Sequence, residues 1–243
     1  MRVFVTGGAG FIGTHLCKKL ASLHKVTVYD NFSNSNKENF PVMENVKLIV
    51  GDILDNSKLL DSMKNHDIVI HLASKTDVID SIINPYSTFQ TNVQGTQNIL
   101  DSCKFNHISK INYSILRLFN VYGNGHTSGV IANFRKNILE NKPLTIFGDG
   151  KATRDFIHID DVIDGIIISM KSISGIYNIA SGNGTSIGDL AKLLIRLSET
   201  NSEIIHKSTR KGEIIYSVAN IDKSNKELGF YPKISLDVGL NTL

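Results

Sequence analysis

Three glycines spaced three apart, Gly7, Gly10 and Gly13, stand in the run Thr6-Gly7-Gly8-Ala9-Gly10-Phe11-Ile12-Gly13 near the start of the chain. Glycines at this spacing permit a tight turn, let backbone amides approach a pyrophosphate, and allow a helix to pack closely on a strand. The run follows an apolar strand pattern, Arg2 to Thr6, and opens a helix pattern in which Ile12, Leu16, Leu20 and Leu23 form one stripe. The next strand pattern, Lys25 to Asp30, ends in a carboxylate seventeen residues past Gly13, where it would accept hydrogen bonds from the hydroxyls of an adenosine ribose. No Arg or Lys follows Asp30 until Lys37, so a 2'-phosphate would meet a negative charge. The pattern predicts a dinucleotide site that takes NAD rather than NADP. Two further strand patterns end in Gly51-Asp52-Ile53 and His71-Leu72-Ala73-Ser74, at the carboxyl ends where a doubly wound sheet holds its ligand. Asp52 is open to two readings, ligand contact or cap of the next helix, and His71 is expected to be a hydrogen-bonded core histidine.

Those motifs need elements to hold them, and Val- and Ile-rich runs alternating with helical-period segments supply them. Strand patterns over Arg2 to Thr6, Lys25 to Asp30, Val46 to Asp52 and Asp67 to Ala73 predict a parallel α/β sheet. Helix patterns carry Leu59, Leu60 and Met63, then Phe89, Val93, Ile99 and Leu100 after Pro85. From Tyr113 to Phe119 another strand pattern follows, and then a mixed region of helix-like Val130 to Leu139 and Val162 to Met170 with strand-like Leu144 to Phe147, Phe156 to Ile159 and Gly175 to Ala180. The expected organisation is a Rossmann-type doubly wound sheet over residues 1–123 and a smaller α/β lobe over 124–243, parts of which could return to the sheet.

The chain has 243 residues, 41% of them hydrophobic, and 26 basic against 23 acidic side chains scattered without long like-charge runs. This predicts one folded body with no nucleic-acid or membrane surface. Cys17 and Cys103 sit in helical patterns outside any metal-ligand spacing, so they are expected to be plain buried thiols of a reducing compartment, with no metal site. Without a basic segment followed by an apolar one ahead of the first strand, the expected location is cytoplasmic.

The combined motifs resemble the extended short-chain dehydrogenase/reductase superfamily, and within it the NAD-dependent nucleotide-sugar epimerase/dehydratase family similar to UDP-glucose 4-epimerase. The resemblance rests on the glycine loop, Tyr29-Asp30-Asn31-Phe32-Ser33, Gly51-Asp52-Ile53, His71-Leu72-Ala73-Ser74, and Asn84-Pro85 followed by Asn92-Val93-Gln94-Gly95-Thr96. It continues through Arg117-Leu118-Phe119-Asn120-Val121-Tyr122-Gly123, Gly148-Asp149-Gly150 and Arg154-Asp155-Phe156-Ile157-His158. It implies that Asp30 and Asn31 hold the adenosine ribose, Asp52 and Ile53 the adenine, and Leu72 and Ala73 the pyrophosphate and nicotinamide ribose, with Asn92 near the nicotinamide. It further implies that Asn120 contacts a nucleotide-sugar (UDP-hexose) substrate, that Arg154 and Arg210 clamp its two phosphates, and that Glu213 stands where the family more often places an Asp. A homodimer formed through the helices bordering residues 104–112 is also implied.

The resemblance also exposes a gap. Family members abstract a proton with a tyrosine whose pKa is lowered by a lysine four residues later, because a phenol of pKa about 10 is a poor base at neutral pH without a nearby cation. Four residues after Tyr29, Tyr86, Tyr122, Tyr177, Tyr216 and Tyr231 stand Ser33, Gln90, His126, Ser181, Asn220 and Ser235; only Tyr113 is followed by a cation, Arg117. On a strand those two side chains would lie roughly 13 Å apart at 3.3 Å per residue. The block that should carry the Ser/Thr, Tyr and Lys, at least roughly 30 residues long, is replaced by Phe105-Asn106-His107-Ile108-Ser109-Lys110-Ile111. No catalytic residue can therefore be named. Three readings remain: a 4-epimerase that has lost its catalytic block, a ligand-binding pseudoenzyme, or a different reaction with His126 as base. The strand Tyr113 to Phe119 is expected to close up beside Asp67 to Ala73, since a vacant strand position would leave backbone groups unpaired.

Overall fold

The computed structural model describes residues 1–106, 108, 112–171, 174–210 and 212–243. It divides into two compact units, Met1–Asn112 and Tyr113–Leu243. The division falls ahead of position 123 because the strand that follows Asn112 pairs inside the second unit.

The first unit runs β1 (Arg2–Thr6), α1 (Phe11–Ala21), β2 (Lys25–Asp30), β3 (Val46–Val50), α2 (Asn56–Ser62), β4 (Ile68–His71), α3 (Val78–Ile83), α4 (Pro85–Phe89), a π-helical turn (Gln90–Gln94) and α5 (Gly95–Phe105). Its sheet is parallel, in the order β3-β2-β1-β4. The continuous apolar strand runs are explained by burial on both faces: Val3, Phe4, Val5 and Val28 are fully enclosed. Leu16, Cys17 and Leu20 form the buried stripe of α1. Leu23 is not part of it, because α1 ends at Ala21 and leaves Leu23 exposed in the following turn. Leu59, Met63 and Ile99 meet Phe4 and Tyr29 in the core.

The second unit contains β5 (Ser114–Leu118), β6 (Asn120–Tyr122), α6 (Gly129–Leu139), β7 (Leu144–Phe147), β8 (Thr153–His158), α7 (Ile159–Ser169), β9 (Gly175–Ile179), β10 (Gly184–Ser186), α8 (Ile187–Leu197), β11 (Ile204–Lys207), β12 (Tyr216–Ser217) and α9 (Leu236–Asn241). The strand β8 pairs with β6, β10 and β12, while β7 pairs with β11. Its core joins Tyr122, Phe134, Leu144, Ile146, Phe156, Leu190 and Leu194.

One expectation is corrected here. The strand Tyr113 to Phe119 was to pair beside β4, but β5 pairs with β9 in full parallel register from Ser114↔Gly175 to Leu118↔Ile179. Its ends are fixed there too, since Gly175 N donates to Tyr113 O at 3.1 Å and Phe119 N to Ile179 O at 3.3 Å. The ladder with β9 uses one edge of β5. Among the described residues β4 pairs with β1 alone. Of the short connection before it, His107, Ser109, Lys110 and Ile111 lie outside the described residues, as does Lys211 of the Arg210-Lys211-Gly212-Glu213 run.

Candidate cofactor and nucleotide-sugar sites

The glycine loop joins β1 to α1, and its three glycines serve different ends. Gly7 has φ +67°, and a methyl group there would lie 2.5 Å from Ala73 N and 2.7 Å from the Leu72 carbonyl carbon, so the loop presses directly on the strand end at Leu72 and Ala73. A methyl group on Gly13 would come within 2.5 Å of Gly8 Cα, which requires glycine for helix-on-loop packing. At Gly10 the protein itself asks for little: only Gly7 O, at 3.3 Å, lies within 4 Å of the missing Cβ. The other side of Gly10 is open. The first helical bond of α1 runs from Thr14 N to Gly10 O at 2.9 Å, so the turn bearing Phe11, Ile12 and Gly13 presents the amino end of the helix. No side chain caps that end and no acid lies in its first turn, which suits an anionic phosphate.

Asp30 sits at the end of β2, where its two carboxylate oxygens accept from Ala9 N at 2.9 Å and Phe32 N at 2.8 Å. It thereby ties the glycine loop to the second strand and still offers acceptor lone pairs. Asn31 bridges to the next strand end by donating to Asp52 Oδ2 at 2.9 Å. Asp52 Oδ1 accepts from Leu54 N at 2.9 Å, whereas the cap of α2 is Asp55, which accepts from Lys58 N. The capping alternative for Asp52 is therefore wrong; it braces a strand-end turn. Ile53 buries its side chain in the core, and Asn98 holds its carbonyl at 2.9 Å.

At the end of β4, His71 is satisfied on both ring nitrogens, by Thr6 Oγ1 at 2.7 Å and Thr96 Oγ1 at 3.0 Å. Burial lowers its pKa, which keeps the ring neutral at pH 7, as a structural histidine should be. Asn92 lies in the π-helical turn and is clasped to the loop after β4 by a reciprocal pair of 2.8 Å bonds, accepting from Lys75 N and donating to Lys75 O. The extra residue of a π turn re-aims side chains and recurs at functional sites.

In the second unit, Asn120 donates to Asp155 O at 2.9 Å. Arg154 donates to Thr153 O at 2.9 Å and lies 3.9 Å from Glu213, both side chains being largely enclosed. Glu213 Oε2 is buried without a hydrogen-bond partner among the described residues. Arg210, three residues earlier, lays its guanidinium 3.7 Å from the centre of the Phe147 ring. The turn between them is closed by Glu213 N donating to Arg210 O at 3.2 Å. Sequence reading passed over Asp155, which is fully buried and accepts from Ser181 N, Ser181 Oγ, Gly182 N and Ala219 N. Its neighbours Asn120 and Arg154 are positioned by that anchor, and an acid beside a conspicuous Arg gave no separate signal.

No tyrosine has the geometry of an activated base. Tyr86 alone lies on a helix, and its partner one turn on is Gln90, whose amide donates to the phenol at 3.4 Å. Burial first, then Asp55 and Asp52, push Tyr29 up to about 12. Tyr122 is raised by burial, Asp161 and Asp237, and Tyr177 by burial and Glu227, so these phenols stay protonated at neutral pH. His126 shares a 3.1 Å bond with Ser128 Oγ, and burial lowers its pKa. Burial likewise raises both thiols, Cys17 up to about 12, as inert cysteines require. Among the described residues no group of side chains could hold a metal ion, and no helix is long and apolar enough to cross a membrane.

Residues 4–115 match the 3-beta hydroxysteroid dehydrogenase/isomerase family, and residues 105–180 match the NAD dependent epimerase/dehydratase family. The UDP-glucose 4-epimerase of Thermotoga maritima, solved with UDP-glucose, is similar at 28% identity with a TM-score of 0.90, over 100% of this chain and 97% of that one. Together the two family matches and this likeness support an extended short-chain dehydrogenase/reductase of the NAD-dependent epimerase/dehydratase kind. A UDP-glucuronic acid 4-epimerase variant from Bacillus cereus, solved with NAD and a fluorinated UDP-glucuronic acid, is similar to this chain at 28% identity and TM-score 0.90, over 100% and 97% of the two chains. The UDP-N-acetyl-alpha-D-glucosaminuronate decarboxylase of Bacillus cytotoxicus is 28% identical over 98% of this chain and 95% of its own. That alignment occupies 305 positions against a chain of 243 residues, so at least 62 positions of the relative have no counterpart here. The two family matches meet at residues 105–115, where the short connection lies.

Proposed function

We propose that this chain is a nucleotide-sugar 4-epimerase of the UDP-glucose 4-epimerase type that binds NAD and a UDP-hexose and lacks the residues for turnover. The observation that carries this reading is that no tyrosine in the chain is followed four residues later by lysine, while the rest of the family's motifs persist. Gly10, the uncapped start of α1, Asp30 and Asn31 fit a dinucleotide by their open space, amide donors and acceptors. In such enzymes the bound NAD supplies the hydride acceptor for C4 of the sugar. Asn92 stiffens the loop at the proposed nicotinamide end, and the side chains of Leu72 and Ala73 shape its approach. Arg154 and Arg210 suit a diphosphate because a planar guanidinium donates in a fork. Glu213 Oε2 accepts from a ribose hydroxyl, and Asn120 donates or accepts at the sugar. We place the protein in the cytoplasm.

The Asp30→Ala variant tests the cofactor half. In the unmutated chain calorimetry should show a preference for NAD over NADP; in the variant NAD affinity should fall about tenfold, the loss of one charge-assisted interaction, and most of the preference should vanish. Equal affinity for the two cofactors in the unmutated chain would sink the assignment.

A homodimer has one observation in its favour, an apolar helix face. Tyr86, Phe89, Val93 and Leu100 stand 72, 55, 54 and 44% exposed along α4, the π turn and α5. Such a stripe is characteristic of an interface. The occupant we assign is a second copy of the chain, giving a homodimer. Sedimentation equilibrium should show a dimer for the unmutated protein and a monomer for Phe89→Asp; a monomer in both cases rules the dimer out.

A further inference from the structure

The glycine loop occupies the carboxyl end of the first sheet, and the amino end of the same sheet carries cations that the proposed function does not use. Arg2 opens β1, Lys25 opens β2, and Lys47 is second in β3. Parallel register pairs Arg2 with Lys25 and Thr27 with Lys47. Register partners project to one face, and the period of two brings Lys25 and Thr27 to that same face, so all three cations share it. Lys64 joins them from the turn after α2, and together they line a cavity of about 420 Å³. His66 is fixed in its wall, with Nε2 bonded to Thr27 Oγ1 at 2.8 Å, Nδ1 to Met63 O at 3.1 Å, and its ring edge-on to Phe4.

The charges there do not cancel. Arg2 lies 3.6 Å from Asp67 and Lys64 lies 2.6 Å from Asp61, but among the described residues no carboxylate comes within 4.0 Å of Lys25 or Lys47. Cations near a helix's carboxyl end offset its dipole, which accounts for Lys64 after α2. Lys25 and Lys47 stand on strands, where that explanation does not reach. The volume falls in the range of small-ligand sites, about 300 to 1,000 Å³. Four rises of β1 separate Arg2 from Thr6, roughly 13 Å at 3.3 Å per residue, so one phosphate cannot serve this cavity and the glycine loop together.

We propose that this cavity is a second anion site, taking a compact phosphorylated ligand between Lys25 and Lys47. The probe is inorganic pyrophosphate titrated into the full chain, observed through the His66 ring resonances, which report this cavity and not the glycine loop. The resonances should shift and saturate at low ionic strength. Lys25→Gln combined with Lys47→Gln should weaken binding at least about tenfold, the loss of two charge contacts. Lys25→Arg combined with Lys47→Arg should keep it, which separates lost charge from lost fold. A sugar phosphate that displaces pyrophosphate from His66 would assign the site to phosphorylated metabolites, and failure to displace would assign it to inorganic phosphates. No His66 response to either probe, or equal binding by the double Gln variant, overturns the proposal.

Discussion

Purified protein supplied with NAD and UDP-glucose or UDP-galactose should show no interconversion above background. Oxidation at C4 requires a group that takes the hydroxyl proton as the hydride departs, and general base help of this kind is worth about 10² to 10⁴ in rate. The reacting carbon must also be held against the cofactor, and a misplaced reactant loses further orders of magnitude. Tyr86 meets an uncharged amide, Tyr29 and Tyr122 are pushed further from ionisation by burial and carboxylates, and Tyr113 has its cation along a strand. Product analysis after long incubation checks the expectation. His126→Ala is the control: turnover in the unmutated chain that disappears in this variant would establish an alternative base. Turnover that survives the change would place the chemistry on other residues.

The second large effect is on stability. Asp155→Ala should destabilise the second unit by roughly 3 to 5 kcal/mol, because hydrogen bonds to a charged group contribute about 1.5 to 3 kcal/mol each and orphaned buried donors carry a further penalty. Four donors converge on this carboxyl group, at 2.8, 2.7, 2.9 and 3.2 Å, and they come from Ser181, Gly182 and Ala219, far apart from Asp155 in the chain. The substitution therefore unties the turn after β9 and the segment after β12 from β8 at once. Asp155→Asn should recover part of the loss, since an amide keeps one accepting oxygen. Urea unfolding followed by tryptophan-independent circular dichroism would measure both, and a shift below about 1 kcal/mol for the alanine variant, the size of an ordinary substitution, would refute the anchoring role. Because Asn120 and Arg154 flank this anchor, UDP affinity should fall with it.

Legibility differed between the two halves of the chain. Glycine spacing, apolar runs and the acid at the end of β2 are local signals, so the strands and helices around the cofactor loop could be read with boundaries close to those found. Gly10 is a good example: the spacing marked it for a ligand, and the structure leaves its Cβ position open while Gly7 and Gly13 are filled by the protein. Short strands were missed, namely β6, β10, β11 and β12, because two to four residues paired at long range have too little periodicity to register. The same limit hid Asp155, whose partners are separated from it by 26, 27 and 64 residues.

The order of residues by itself determined that the chain makes a dinucleotide loop between strand and helix, that its family motifs run through both halves, and that no Tyr stands one helical turn before a Lys. These follow from identity and spacing, which no folding can alter. Only the tertiary structure decided where β5 finds its partner, a parallel ladder with β9, which lies far along the chain. It also decided that Asp52 braces a turn while Asp55 caps the helix, and that Arg2, Lys25 and Lys47 share one face. Pairing register and hydrogen-bond choice depend on residues distant in the chain competing for the same groups, and that competition is settled only in three dimensions.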